Sequence, residues 1–282
     1  MSRLSADCPA KINLGLEVTG RRPDGYHELV TIFQAIDLAD TLTVAPAEEL
    51  TLTCSVAALA TPDNLCLRAA AALQAATGTR QGARLHLEKR IPAAAGLGGG
   101  SSDAAAALRL LDRLWATRLS DAELAQLATG LGADVPFFLD GPTALATGIG
   151  EVLAPLPAPP PCWLVLVRPP LEIEHKTARL YRALTPADWS DGARTRAQAE
   201  RLRAGLGLDP ALLVNAFQRP LLAEFPPVAA AAAALRAAGA TTVFPAGSGP
   251  TLVALCDGAR HAARLAGALR ARGLAAQTAR TR

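Results

Sequence analysis

The segment Pro92-Ala93-Ala94-Ala95-Gly96-Leu97-Gly98-Gly99-Gly100-Ser101-Ser102-Asp103 sets four glycines within five residues. Before it, Arg84 to Lys89 alternates apolar and polar residues as a strand does. After it, an apolar periodic run predicts a helix from about Ser102 to Trp115. Glycine has no Cβ, so the backbone N–H groups of such a loop can approach an anion closely. The start of the following helix adds unbonded N–H groups and a partial positive charge. Ser101 and Ser102 add hydroxyl donors, and a polyphosphate is the natural guest. A flexible turn with a serine N-cap is the plainer alternative. Two better-known phosphate loops do not fit. No lysine closes the segment as a Walker A loop requires. Ser101 stands where the dinucleotide fingerprint needs its last glycine.

Outward from the loop, the chain reads as short strands mixed with helices. Lys11 to Val18 predicts a strand that ends in a Gly20 to Gly25 turn. Leu42-Thr43-Val44 and Leu50 to Cys54 predict two more strands, and Asn64 to Ala76 a helix. Ser120 and Glu123 have the spacing of a capping box at a helix start. Ala154 to Pro161 holds five prolines in eight residues. Such a stiff connector predicts a boundary between a domain at 1–155 and another at 156–282. Beyond it, Trp163 to Val167 predicts a strand. Helices are expected around Arg179, Arg196 and Leu213, over Val228–Ala238 and over Ala259–Arg272. A strand, a second glycine loop and another strand fall in Thr241–Leu255. No tandem repeat is evident, and the segregation of elements predicts an α+β chain.

Composition narrows the function classes. Half of the 282 residues are hydrophobic and 19% are charged, as in a packed globular protein. The net charge is +3 without a basic stripe, which argues against nucleic-acid and membrane-surface partners. Among 28 basic residues only Lys11, Lys89 and Lys176 are lysines. In a chain so biased to arginine, a retained lysine is informative, because a compact ammonium does different work from a guanidinium. Five scattered cysteines give no CxxC pair and no His/Cys cluster, which argues against a disulfide framework and structural zinc. No signal-peptide h-region and no apolar stretch of about 20 residues is seen, so a cytoplasmic location is expected.

The loop resembles the Pro-x-x-x-Gly-Leu-Gly-Gly-Gly-Ser-Ser segment of the GHMP kinase superfamily. Two other motifs resemble that superfamily in the same order: Pro9 to Leu14, and Pro245 to Thr251. Asp24 to Leu29 and Gly132 to Phe138 are similar to segments of the branch that phosphorylates 4-diphosphocytidyl-2-C-methylerythritol. So are Gly148 to Glu151 and Asn215 to Phe217. The resemblance spans nearly the whole chain. It implies a two-lobed fold, with a β-rich ATP-binding lobe and a ferredoxin-like second lobe. It also implies phosphorylation of the 2-hydroxyl of that substrate with ATP and Mg2+, a step in making isoprenoid precursors without mevalonate. Two departures stand out. Lys176 replaces a serine usual before Thr177, and Pro245-Ala246 replaces the pair that usually opens the third motif.

The resemblance also assigns candidate residues. Lys11 and Asp134 are the catalytic pair, with Asp134 accepting the hydroxyl proton and Lys11 steadying charge. Pro92 to Ser102 would hold ATP, with Asn64 and Leu65 near adenine and Ser102 as the nearest magnesium contact. Asn13, Tyr26, His27 and Tyr181 would bind the substrate, the aromatics enclosing its cytosine. Plainer readings stand beside these: an exposed strand-end lysine for Lys11, a solvent-facing strand residue for Asn13, and helix N-caps for Asp134 and Asn64. Tyr26 and His27 could be a loop aromatic and a surface histidine. Other superfamily kinases, acting on mevalonate, homoserine or a sugar, are the first rivals, and the Tyr26-His27 segment argues against them. A non-catalytic nucleotide-binding protein is the second, and retention of Lys11 with Asp134 argues against it. A monomer or homodimer is expected.

Overall fold

A computed structural model describes residues 3–171 and 176–282. The first two strands are the longest elements: β1 covers Leu4–Arg21 and β2, its partner, His27–Ala47. From Val30 to Ile36 every residue of β2 is buried. A strand buried on both faces shows no alternation of apolar and polar residues, so only its Leu42–Val44 end was expected.

Two compact units share the chain. The first takes the residues up to Ala10, then Leu38–Ala93 and Gly98–Gly141. In it the end of β2 pairs antiparallel with β4 (Gly82–Glu88), and β4 pairs parallel with β3 (Leu50–Cys54). Four helices belong to this unit: α1 (Leu65–Thr77), α2 (Gly99–Trp115), α3 (Asp121–Leu131) and the single turn α4 (Phe137–Asp140). Leu42, Leu85 and Leu87 from the strands meet Leu73 of α1 and Leu108 and Leu111 of α2 in one core. Ala69, Ala70, Ala104 and Ala107 lie fully buried there, and so small a side chain lets helices approach closely. The expected capping box opens α3: the Glu123 amide donates to Ser120 Oγ, and the Ser120 amide donates to Glu123 Oε2.

The second unit takes Lys11–Asp37, Ala94–Leu97 and Pro142–Arg282. Here Leu29–Gln34 of β2 pair antiparallel with β5 (Thr143–Gly148), which pairs with β6 (Val152–Pro155). A four-stranded antiparallel sheet follows the order β10 (Ala275–Arg280), β7 (Trp163–Arg168), β9 (Leu252–Cys256), β8 (Val243–Pro245). Helices α5 (Lys176–Ala183), α6 (Ala193–Arg203), α7 (Gln218–Glu224), α8 (Pro226–Ala237) and α9 (Ala259–Arg270) complete the unit. Val165, Val167, Leu235, Leu265 and Leu269 form its core with Phe217 and Leu221. Strands β5, β6 and β10 were not expected. Around Leu213 the expected helix is a 3₁₀ turn, Pro210–Leu212, with α7 starting at Gln218, six residues beyond its end. Pro210 and Pro220 confine helical hydrogen bonding there to short pieces.

Three of the five free cysteines, Cys8, Cys66 and Cys256, are buried, and burial raises their thiols above the usual range. Among the described residues no helix is long and apolar enough to cross a membrane.

Candidate active site

Two groups of the expected residues come together, one in each unit. In the second unit, Lys11 and Asn13 point the same way from β1 because they are two residues apart on a strand. Both are buried, so neither is an exposed strand residue. Lys11 Nζ donates to Asn13 Oδ1 at 3.0 Å and lies 4.8 Å from the centre of the Phe33 ring. Asn13 Nδ2 donates to Thr31 Oγ1 at 2.8 Å, and Thr31 Oγ1 donates to the Gly15 carbonyl at 2.6 Å. Asn13 Oδ1 also accepts from the Gly247 amide at 2.9 Å. That chain of bonds fixes the amide orientation and anchors the second glycine loop to β1. Buried polar groups so fully paired are rigid, as a site that must hold charge requires.

The expected phosphate loop meets the same group. The Lys11 amide donates to the Leu97 carbonyl at 2.8 Å. Gly96 adopts φ +83°, and a Cβ there would lie 2.2 Å from the Ala246 oxygen and 2.6 Å from that of Gly249. Only glycine allows two backbones so close. The second loop is held from its other side by Asn215. Its Nδ2 donates to the Pro245 and Gly247 carbonyls at 3.0 and 2.9 Å, while its Oδ1 accepts from the Phe217 amide. The Asn-x-Phe pattern was visible in the sequence, but a role for Asn215 was not. Thr31 was missed as well, since nothing distinguishes a strand threonine by pattern alone. Lys176, noted in the sequence as a retained lysine and a departure from the family pattern, also reaches this loop: it donates to the Ala94 carbonyl at 3.0 Å and to that of Gly249.

Near the turn after β1, the His27 ring stacks on Tyr181, with centroids 4.9 Å apart and planes 27° from parallel. Tyr181 meets Phe217 edge-on at 4.9 Å. Burial, and then Arg21, hold the His27 imidazole below its usual pKa, favouring the neutral ring. Tyr26 stands exposed in the turn, its amide bonded to Asp24 Oδ1 at 3.1 Å. No ring fits between His27 and Tyr181 as they stand. A base at this cluster would use an outer face, with Tyr26 available to cover it.

The first unit holds the rest. Helix α2 begins at Gly99, three residues earlier than expected, because first-turn amides have no helical partner in any case and glycine loses little there. Gly98, at φ +71°, takes the N-cap position, and no side chain caps the helix. Leu65 sits against this turn: a Cβ on Gly100 would lie 3.5 Å from Leu65 Cδ1. Asn64 is the N-cap of α1. Its Oδ1 accepts from the Cys66 amide at 2.9 Å and its Nδ2 donates to the Leu59 carbonyl at 2.8 Å. Both ends of that amide are therefore engaged. Asp134 lies half-buried in the turn before α4, whose N-cap position is Pro136.

Beneath the loop lies a buried ion triad. Lys89 Nζ donates to Asp103 Oδ2 at 2.8 Å and to Asp40 Oδ2. Asp40 Oδ1 accepts from the Arg90 and Ile91 amides at 2.6 and 2.8 Å. Burial raises the Asp103 carboxyl, against the pull of Lys89. Burial also opposes the Lys89 charge, but the two carboxylates hold its pKa above the usual value. The triad fixes the strand end that feeds the loop. Among the described residues, the buried oxygens Ser102 Oγ and Asp103 Oδ1 have no hydrogen-bond partner. Such orphans suit a cation, so the residues present fit a magnesium ion carried in with phosphates. Among the described residues no group of three His, Cys, Asp or Glu could hold a metal alone.

Known proteins resemble this chain. The model of the GHMP kinases N terminal domain matches residues 64–142, and that of the GHMP kinases C terminal domain matches residues 196–275. A 4-diphosphocytidyl-2-C-methyl-D-erythritol kinase of Salinibacter ruber is 46% identical over 90% of each chain. One from Pelotomaculum thermopropionicum is 45% identical over 89% of this chain and 88% of its own. A crystal structure of 4-(cytidine 5'-diphospho)-2C-methyl-D-erythritol kinase superposes with a TM-score of 0.84, at 41% identity and 99% of each chain. Homoserine kinase from Cytophaga hutchinsonii shares the fold at 17% identity and a TM-score of 0.78.

Proposed function

This chain belongs to the GHMP kinase family, in its 4-diphosphocytidyl-2-C-methyl-D-erythritol kinase branch, and we propose that it moves the γ-phosphoryl group of ATP to the 2-hydroxyl of that substrate. The step belongs to the making of isoprenoid precursors without mevalonate. The observation that carries the reading is identity of 40–46% to curated kinases of this name over about nine-tenths of the chain. The buried Lys11–Asn13 pair beside the glycine loops supports it from the site's own chemistry.

Asp134 acts as the base that takes the hydroxyl proton while the oxygen attacks the γ-phosphorus. Lys11 stabilises the negative charge on that oxygen, held in place by Asn13 and Phe33. The transition state of phosphoryl transfer is loose, so positioning and charge neutralisation carry most of the catalysis. The loop from Pro92 to Ser102 holds the triphosphate through the backbone amides between these two residues and its serine hydroxyls, and Leu65, with the backbone at Asn64, borders the adenine. Ser102 would hold a magnesium ion carried in with the nucleotide, which would supply neutralisation of phosphate charge. Tyr26, His27 and Tyr181 receive the cytosine. The two family matches fall on either side of the Ala154–Pro161 connector, which supports an ATP-binding domain at 1–155 and a second domain at 156–282 along the sequence, although the second compact unit also draws Lys11–Asp37, Ala94–Leu97 and Pro142–Pro155 from the first.

The roles are tested by label transfer. With γ-labelled ATP, the wild type passes label to the cytidyl substrate. Asp134→Asn retains ATP binding and loses at least ~10²-fold in turnover, the scale of a general base. Turnover near wild type in that variant rules out Asp134 as the base.

A further inference from the structure

Lys176 opens α5 with its side chain turned inward and buried. Its ammonium donates to two main-chain carbonyls, those of Ala94 and Gly249. Ala94 lies in the first glycine loop and takes φ +54°, unusual for a residue with a Cβ. Gly249 lies in the second loop at φ +77°. These are the two loops whose backbones already crowd together at Gly96. One side chain thus ties both loops at their closest approach.

An ammonium has three donors, and carbonyls satisfy two of them without cancelling its charge. Among the described residues, Lys176 forms no ion pair. Burial, and then the neighbouring charge of Lys11, push its pKa down to about 8. The Lys176 ammonium is thus disfavoured by burial and by the neighbouring Lys11 charge, beside two glycine loops. A buried positive charge kept at such a cost is balanced by an anionic ligand far better than by neutral carbonyls. A serine at this position would give one hydroxyl donor and no charge.

We propose that Lys176 is a positioning residue for the nucleotide's polyphosphate: it clamps the carbonyls of Ala94 and Gly249 so that the loop amides face the phosphates, and it adds a second positive charge beside Lys11 that the polyphosphate neutralises. The inference rests on the ATP-dependent reading above. It assigns this chain a charge-based grip on the triphosphate that adds to the backbone amides.

The test separates clamp from charge. Titration calorimetry measures binding of a non-hydrolysable ATP analogue with magnesium, and of AMP, to the wild type, Lys176→Met and Lys176→Gln. The amide of Lys176→Gln can still bond a carbonyl but carries no charge. The triphosphate analogue should bind at least ~10-fold more weakly to both variants, with AMP affinity changed less than about twofold. Thermal melting of Lys176→Gln should stay closer to wild type than that of Lys176→Met. Wild-type triphosphate affinity in either variant overturns the proposal. Equal losses for AMP and the triphosphate also overturn it, since they show a merely structural role. Failure of the wild type to bind any triphosphate overturns the ATP reading itself, a distinct result.

Discussion

Replacing Gly96 with alanine is the sharpest perturbation this geometry offers. The new Cβ would stand 2.2 Å from the Ala246 oxygen and 2.6 Å from the Gly249 oxygen. Ordinary contact needs about 3.5 Å, so the two loops would have to part by roughly 1 Å. Alanine at φ +83° adds about 1 kcal/mol of backbone strain. Parting the loops stretches the Thr251 amide bond to the Ala95 carbonyl and the Lys176 bonds to Ala94 and Gly249. At about 1 kcal/mol for each bond, the whole loss is roughly 3–4 kcal/mol. For a chain of this size that lowers the melting temperature by about 10 °C. Gly100→Ala is the control. Its Cβ meets only Leu65 Cδ1 at 3.5 Å, and alanine suits the first turn of α2. Melting followed by circular dichroism should leave Gly100→Ala at or above wild type and lower Gly96→Ala markedly. Equal melting temperatures for all three proteins would refute the close approach of the two loops.

Two further outcomes follow from other parts of the site. Lys89→Met leaves Asp40 and Asp103 buried without their cation and should cost about 3–5 kcal/mol near neutral pH. Burial already raises the Asp103 carboxyl against the pull of Lys89, and without the ammonium it rises further above its unfolded value. The variant's deficit is then present above the unfolded pKa and shrinks as pH falls toward 5; denaturant melts with an equal deficit at pH 5 and pH 8 would contradict the triad. Tyr26→Ala should raise KM for the cytidyl substrate and leave KM for ATP nearly unchanged. In the wild type CDP should inhibit more strongly than UDP, by roughly tenfold or more, because uracil reverses the hydrogen bonding at the 4-position. Equal inhibition by the two removes the cytosine pocket.

Local chemistry was the legible part of the sequence. The Ser120–Glu123 capping box and the strand–glycine loop–helix order around Gly96 are set by neighbours a few residues apart, and the fold keeps them. The Val30–Ile36 part of strand β2 was hidden because burial on both faces removes the alternation that marks a strand. Strand β10 was hidden because Ala275–Arg280 is held in place by pairing with β7, more than 100 residues earlier. Lys11 and Asn13 were legible as residues of a motif. Their burial, and the bond from Gly247 to Asn13 across more than 230 residues, were not. Asn64 carried two readings in the sequence, and its side chain turns out to be committed to the N-cap. Lys176 looked like a deviation. Only the folded chain puts its ammonium on the carbonyls of two loops far apart in sequence.

Consumption of ATP in the presence of 4-diphosphocytidyl-2-C-methyl-D-erythritol, mevalonate and homoserine, run in parallel under the same conditions, tests the central claim most directly. Stacking and edge recognition of a base are available only to the first of these acceptors, and aromatic stacking alone is worth about 1–3 kcal/mol. ATP turnover should depend on the cytidyl acceptor, with kcat/KM at least ~10²-fold above that for mevalonate or homoserine. Equal or faster turnover with mevalonate or homoserine would contradict the assignment of the substrate.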